Sequence, residues 1–247
     1  MKKETIKLSL FEDLPFIRHF FSTKQLHLFS DGDGKQEEKA FLKSIARVSG
    51  VSEEKIFWTK QEHGDRICFL SEKQDNSLIS SVSADAIITN LKGVLIGINS
   101  ADCCPILIAD KKGRAIAAIH AGWKGTLSRI IEKTINEMAR KSGIVPADLK
   151  VGIGPTIGRC CYNIPLERYQ AFRKEFENID EFISLKDGNL YADLKAINLS
   201  MFCSIGVGKE DVEISRYCTS CSGDYFYSYR REGRVIGRNY SGITMTE

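Results

Sequence analysis

SADCCPILIADKKGRAIAAIHAGWKGT, residues 100–126, puts Cys103 and His120 at the mouths of two apolar strands, the runs 106–108 and 115–119. Thiolate and imidazole are the ligands that a borderline-soft ion such as zinc prefers. Three further histidines, His19, His27 and His63, lie outside the stretch, and His63 sits in a second polar loop, KQEHGD, between Trp58 and Ile67. A His, Cys, His set is therefore available. Three protein ligands leave the fourth position of a tetrahedral ion open, which is the arrangement of a catalytic site and points to an enzyme.

Either residue alone reads as core: Cys103 as a small buried hydrophobe, His120 as a satisfied buried histidine. Their neighbours do not. Asp102 precedes the cysteine, and Gly122, Trp123, Lys124 and Gly125 follow the histidine where the chain turns toward a helix. A helix start favours anions, and Lys124 adds positive charge there.

Working outward, the spacing of Leu127, Ile130, Ile131, Thr134, Ile135 and Met138 predicts a helix over 125–142, stopped by Gly143. Further helices are expected over 37–48, 166–176 and 193–205. Short strands are expected over 56–59, 67–70, 86–89, 94–98, 106–108, 115–119, 151–153 and 212–214. Several are apolar on both faces, so sheet must pack on sheet or beneath helices, in an α+β or mixed α/β fold. No Pro/Gly/Ser linker and no internal repeat divides the chain, and one domain over 1–247 is the expectation.

The balance of 35 basic and 32 acidic residues, net +3, gives no general signal for nucleic acid, so an anion site must be local. No apolar run reaches the ~20 residues of a membrane helix. The start, MKKETIKLSL, lacks the apolar stretch of an export signal. The eight cysteines are accordingly expected as reduced cytoplasmic thiols. Cys103-Cys104 and Cys160-Cys161 are vicinal; neighbours on a strand point to opposite faces, so neither pair is expected to bond internally.

Three more features invite two readings each. The loop GIGPTIG, residues 152–158, is either a tight turn or an approach for a phosphate. The Cys218/Cys221 CxxC has no second CxxC to complete a four-cysteine zinc site, and half a zinc finger is the weaker reading. Tyr225, Phe226, Tyr227 and Tyr229 alternate as a strand would, with Arg230, Arg231, Arg234 and Arg238 behind them, as a solvated edge or a wall for an anionic or aromatic ligand.

KQEHG, SADCCPILIAD, HAGWKGT, GIGPTIGRCCYNI, YADLKAINL and YCTSC with FYSYRR, in this order over about 56–237, resemble the successive motifs of the laccase-domain family. Its members are also called multicopper polyphenol oxidase-like proteins, peptidoglycan editing factors and purine nucleoside phosphorylases. The resemblance implies a cytoplasmic single-domain αββα sandwich with mixed sheets. It implies zinc held by His63, Cys103 and His120, with purine nucleoside and phosphate as substrates. Phosphorolysis of adenosine, inosine, guanosine and methylthioadenosine is implied, with adenosine deamination beside it; older family descriptions suggest copper-dependent phenol oxidation. Departures are Asn163 where an acidic residue commonly follows CCY, Arg159 where proline is common, and a segment FFSTKQLHLFSDGDG with little of the family's glycine-rich pattern.

On this reading Asp102, Cys103, His120 and Lys124 form the catalytic group, with Asp102 the first and Glu62 the second choice for proton transfer. Gln61, Gly154, Cys160 and Arg230 contact substrate, Lys124, Arg230 and the 152–158 loop being the candidates for phosphate. Competing readings are a Cys103/His120 nucleophilic hydrolase, a copper oxidase, for which four histidines are few, and a metal-stabilised protein that binds a nucleoside or cell-wall precursor without turnover.

Overall fold

The computed structural model describes residues 3–26, 34–71, 81–234 and 236–246; His27 and much of the divergent N-terminal segment lie outside them. In chain order the elements are β1 (Thr5–Ile6), β2 (Ile17–Ser22), α1 (Gly34–Ser49), β3 (Ile56–Trp58), β4 (Ile67–Leu70), β5 (Ala86–Thr89), β6 (Leu95–Ser100), β7 (Cys104–Asp110) and β8 (Ile116–Ala121). Then follow α2 (Trp123–Leu127), α3 (Ile130–Ser142), β9 (Leu149–Ile153), β10 (Asn163–Ile164), α4 (Leu166–Glu175), β11 (Ile183–Lys186), β12 (Asn189–Ala192), α5 (Leu194–Ser204), β13 (Val212–Ile214), α6 (Tyr229–Glu232) and β14 (Asn239–Met245).

Side chains on a strand alternate between faces, so a strand apolar on both faces needs a cover on each side. β7 and β8 show how this is met. Ile106, Ile108, Ala117 and Ile119 face one core with Ile131, Ile135 and Met138 of α3 and Ile197 and Phe202 of α5. Leu107, Ala109, Ile116 and Ala118 face a second core with Phe21, Ile96, Ile98 and Ile243. A third core joins Phe41 and Ile45 of α1 to Phe20, Leu95 and Tyr240. The layers are thus α1, a five-stranded sheet (β1-β2-β14-β6-β3), a six-stranded sheet (β13-β9-β7-β8-β5-β4), and α2, α3 and α5; β10-β12-β11 forms a small third sheet. This is the mixed α/β layered sandwich that the two-faced strands require.

The expected 125–142 helix is two helices. Arg129 adopts a left-handed backbone, φ 55°, between α2 and α3, held by ion pairs to Glu132 and Glu175 and by its guanidinium 5.2 Å from the Phe176 ring centroid. The break turns the Ile130, Ile131, Ile135 and Met138 stripe onto the sheet. Residues 225–228 are not a strand either. Asn239 grips the backbone of Tyr227 on both sides, through Tyr227 N–H to Oδ1 at 3.0 Å and Nδ2 to Tyr227 O at 2.9 Å, and Ser228 caps α6. β2 and β14 carry no strand signature in sequence because IRHFFS and NYSGITM mix polar and apolar residues without period two, yet all seven positions of β14 are buried between its sheet neighbours.

His19 on β2 gives the fold a pH dependence. It is buried beside Phe11 and accepts the Leu8 N–H at Nε2, 2.8 Å; burial, with Lys7 nearby, pulls its pKa down to about 4. The unfolded chain therefore binds a proton that the folded chain refuses between roughly pH 6.5 and 4. Stability from this group is complete above the upper value and lost as pH falls through the window, about 3 kcal/mol in all. Urea midpoints measured from pH 7 to pH 4.5 should fall less steeply in His19→Gln, which keeps an acceptor for Leu8; equal slopes would remove His19 from the acid response.

Candidate metal centre

Sheet order gathers the chemistry at one end of the six-stranded sheet. β7 and β8 are antiparallel, pairing Cys104 with Ala121 and Pro105 with His120, so Cys103 and His120 share an end. β5 runs antiparallel to β8 with Ala86 opposite Ile119, bringing Asp85 to His120. β4 is parallel to β5, which delivers the 60–66 loop and His63 to the same place. The ligand atoms of His63, Cys103 and His120 all lie within 4.8 Å of one another. The imidazole planes of His63 and His120 stand at 82°, centroids 4.8 Å apart.

Asp85 is the residue that sequence reading missed. Its Oδ1 lies 2.8 Å from His120 Nδ1 and accepts the His63 N–H at 2.9 Å; Oδ2 accepts the N–H groups of Gly64 at 2.8 Å and Glu62 at 3.2 Å. One buried carboxylate thus orients one ligand and folds the loop that carries another, whose His63 has a left-handed φ of 58°. Such a carboxylate behind a ligating histidine fixes the ring and raises its basicity. Burial pushes Asp85 up, but His120 and the Gly64 and Glu62 amides outweigh it and hold it below its ordinary value. The tripeptide SAD was the available signal: it stands just before β5, at 83–85, and again in the turn from β6 to β7, at 100–102.

Burial pushes the Cys103 thiol up, and His120 and His63 more than reverse this, favouring thiolate. Burial likewise lowers His120, while Cys103 and Asp85 raise it. Gly122 leaves room for the pair: a Cβ there would lie 3.0 Å from Cys103 Sγ and 3.5 Å from the His63 ring. Two imidazoles and a thiolate-prone cysteine, pre-oriented and converging, fit a zinc-class ion with one position open.

Beside them lies a cavity of about 470 Å³ lined by His63, Asp102, Cys103, Trp123, Ile157, Tyr162, Arg168, Leu194, Tyr229, Arg230 and Arg238 among others, within the range of small-molecule sites. Arg168 stacks 4.4 Å from the Trp123 centroid and Arg230 5.6 Å from that of Tyr162. A smaller cavity of about 290 Å³, lined by Gln61, His63, Asn99, His120 and Arg238, opens nearby. A groove of 460 Å³ between Arg129, Glu175 and Met201 contains neither His nor Cys.

The other residues singled out from sequence fall as follows. Asp102, with φ 95°, lines the larger cavity, but each of its carboxylate oxygens is engaged, Oδ1 by Thr219 Oγ1 at 2.5 Å and Oδ2 by the Arg230 N–H at 2.7 Å. Gln61 clamps Asn99, accepting its N–H at 2.8 Å and donating to its carbonyl at 2.7 Å. Glu62 accepts from Ser83 Oγ at 2.6 Å. Lys124 is exposed, with Nζ 5.7 Å from the Trp123 centroid. Gly154 lies against Phe21 and Pro105, where a Cβ would clash at 2.2 Å. Cys160 turns toward Cys161, Cys218 and Cys221.

The sequence profile described as "Multi-copper polyphenol oxidoreductase laccase" matches residues 21–246. The chain belongs to this family. It is 33% identical over 248 residues to a purine nucleoside phosphorylase of Bacteroides thetaiotaomicron, covering 92% of this chain and 91% of the relative. An adenosine deaminase, RL5, from an unknown prokaryotic organism is 30% identical over 207 residues, 81% of this chain and 79% of that protein. The crystal structure of the hypothetical protein YfiH of Bacillus licheniformis superposes with a TM-score of 0.87 at 24% identity, covering 99% and 97% of the two chains, a likeness of fold. Among the described residues no helix is long and apolar enough to cross a membrane.

Proposed function

We propose that this protein is a zinc-dependent purine nucleoside phosphorylase acting on adenosine, inosine, guanosine and methylthioadenosine, with adenosine deamination as a side activity. The observation that carries the reading is the convergence of His63, Cys103 and His120 on a cavity walled by aromatic rings and guanidinium groups. Relatives named for each activity, at 33% and 30% identity, support it. The proposed compartment is the cytoplasm, where the thiols stay reduced.

Phosphorolysis forms a bond from a phosphate oxygen to ribose C1′ as the C1′–N9 bond breaks, so the site must position two substrates and balance shifting charge. Arg230, Arg238 and Lys124 supply positive charge for phosphate. Trp123 and Tyr162 offer faces for the purine. Asp102, beside Cys103, is the proposed proton-transfer group, and its hold on the Arg230 amide also fixes the phosphate side. Zinc held by His63, Cys103 and His120 would supply Lewis-acid polarisation at the open position.

The test is adenosine or inosine with purified protein, products separated by chromatography, with and without phosphate and chelator. Free base and ribose-1-phosphate should form only with phosphate; inosine from adenosine without phosphate reports deamination. Chelator-resistant turnover would favour Cys103 as nucleophile, metal analysis dominated by copper would favour phenol oxidation, and binding without turnover would favour a binding protein. Asp102→Asn should retain the metal while kcat falls by roughly 10² to 10⁴, the usual loss for a general acid or base. A variant in which only KM for phosphate rises would reassign Asp102 to bracing Arg230.

A further inference from the structure

The CxxC that lacked a partner in sequence acquires one in space. β9 and β13 are parallel neighbours, Ile153 beside Ile214, so the loops that leave them run side by side: Ser215 N–H donates to Ile153 O at 2.8 Å and Thr219 N–H to Thr156 O at 3.1 Å. Cys160 and Cys161 sit in a turn of the first loop and not on a strand. The rule that adjacent side chains face opposite ways therefore does not apply, and both sulfurs approach Cys221, at 3.5 and 3.3 Å. With Cys218 added, the four Sγ atoms lie within 4.8 Å of one another.

We infer that Cys160, Cys161, Cys218 and Cys221 form a second, structural metal site for a tetrahedral, thiophilic divalent ion of the zinc class. Four thiolates around zinc at about 2.3 Å stand about 3.8 Å apart; the two shortest observed separations, 3.3 and 3.5 Å, come within a few tenths of an ångström of this, and all four sulfurs lie within 4.8 Å. A disulfide would require about 2.05 Å. The Gly158 N–H donates to Cys218 Sγ at 3.2 Å, the kind of contact that stabilises a thiolate where it is formed. Both ligand loops are also tied to the cavity. Arg230 Nη1 donates to Cys161 O at 3.1 Å, and Arg231 Nη1 to Thr219 O and Ser220 O at 2.8 and 3.0 Å. An ion here would lock the loops that aim Arg230, separately from the His63 centre. Unlike that centre, four protein ligands leave no open position, so the role is structural.

Metal content of reduced protein tests this without an activity assay. Wild type should hold about two ions per chain, Cys103→Ala about one, and Cys103→Ala with Cys218→Ser and Cys221→Ser none. Cobalt(II) added to metal-free Cys103→Ala should give intense sulfur-to-cobalt charge-transfer absorption saturating near one equivalent, a readout that needs no cysteine-ligand variant to fold. If Cys103→Ala takes up no cobalt while its seven remaining thiols count as free, or if peptide mapping finds Cys221 in a disulfide, the inference fails and the His63, Cys103, His120 reading is untouched. Wild type that holds only one ion, with that ion kept in Cys103→Ala, is the reverse outcome: it would uphold the four-cysteine site and count against the His63, Cys103, His120 centre alone.

Discussion

His120→Ala is expected to empty the candidate metal centre and, on the proposed function, to reduce nucleoside turnover to background. His120 is 2% exposed and is one of three converging candidate ligands, so two remain, too few for a tight zinc site. Polarisation by a metal is worth several kcal/mol of transition-state stabilisation, or roughly 10² to 10⁴ in rate. Asp85 keeps its three amide donors but loses its ring partner, and stability should fall by about 1–3 kcal/mol. Metal content, turnover and a urea melt of the same preparation check the three together. Full metal occupancy in folded His120→Ala would place the ion elsewhere, and unchanged turnover would detach the reaction from this centre.

Asp85→Asn should weaken the same centre from behind. Asparagine has the size of aspartate but replaces one oxygen by a donor, which would meet either the Glu62 and Gly64 amides or the His63 amide and His120 ring. One side of the network must lose its acceptor. Removing the carboxylate that orients a ligating histidine typically costs 10- to 100-fold in metal affinity or activity, and leaving buried amides unmet costs about 1–3 kcal/mol more in folding. Competition with a chelator of known zinc affinity reads the first, chemical denaturation the second. Wild-type affinity in Asp85→Asn would show that His63 and His120 are held by the backbone alone.

The chemistry of the candidate centre is written in residue types at strand mouths. Cys103 and His120 flank runs whose apolar character on both faces identifies them as buried strands, and His63 stands in a polar loop between hydrophobic anchors; these are local properties, and so were legible. The two-faced strands also announced layers. What the sequence could not convey is which strands become neighbours. Asp85 closes on His120 only because β5 lies beside β8, and Cys161 meets Cys221, sixty residues away, only because β9 and β13 pair in parallel. Local breaks were hidden for a related reason: the left-handed Arg129 between α2 and α3 is held by Glu175 from a distant helix, and residues 225–228 are bent by Asn239. Ligand identity and hydrophobic period are carried by single residues and their near neighbours. Sheet order is set by the free energy of burying whole faces against one another, a property of all the elements at once, and it alone decided that one carboxylate would serve two histidines and that four cysteines from two loops would converge.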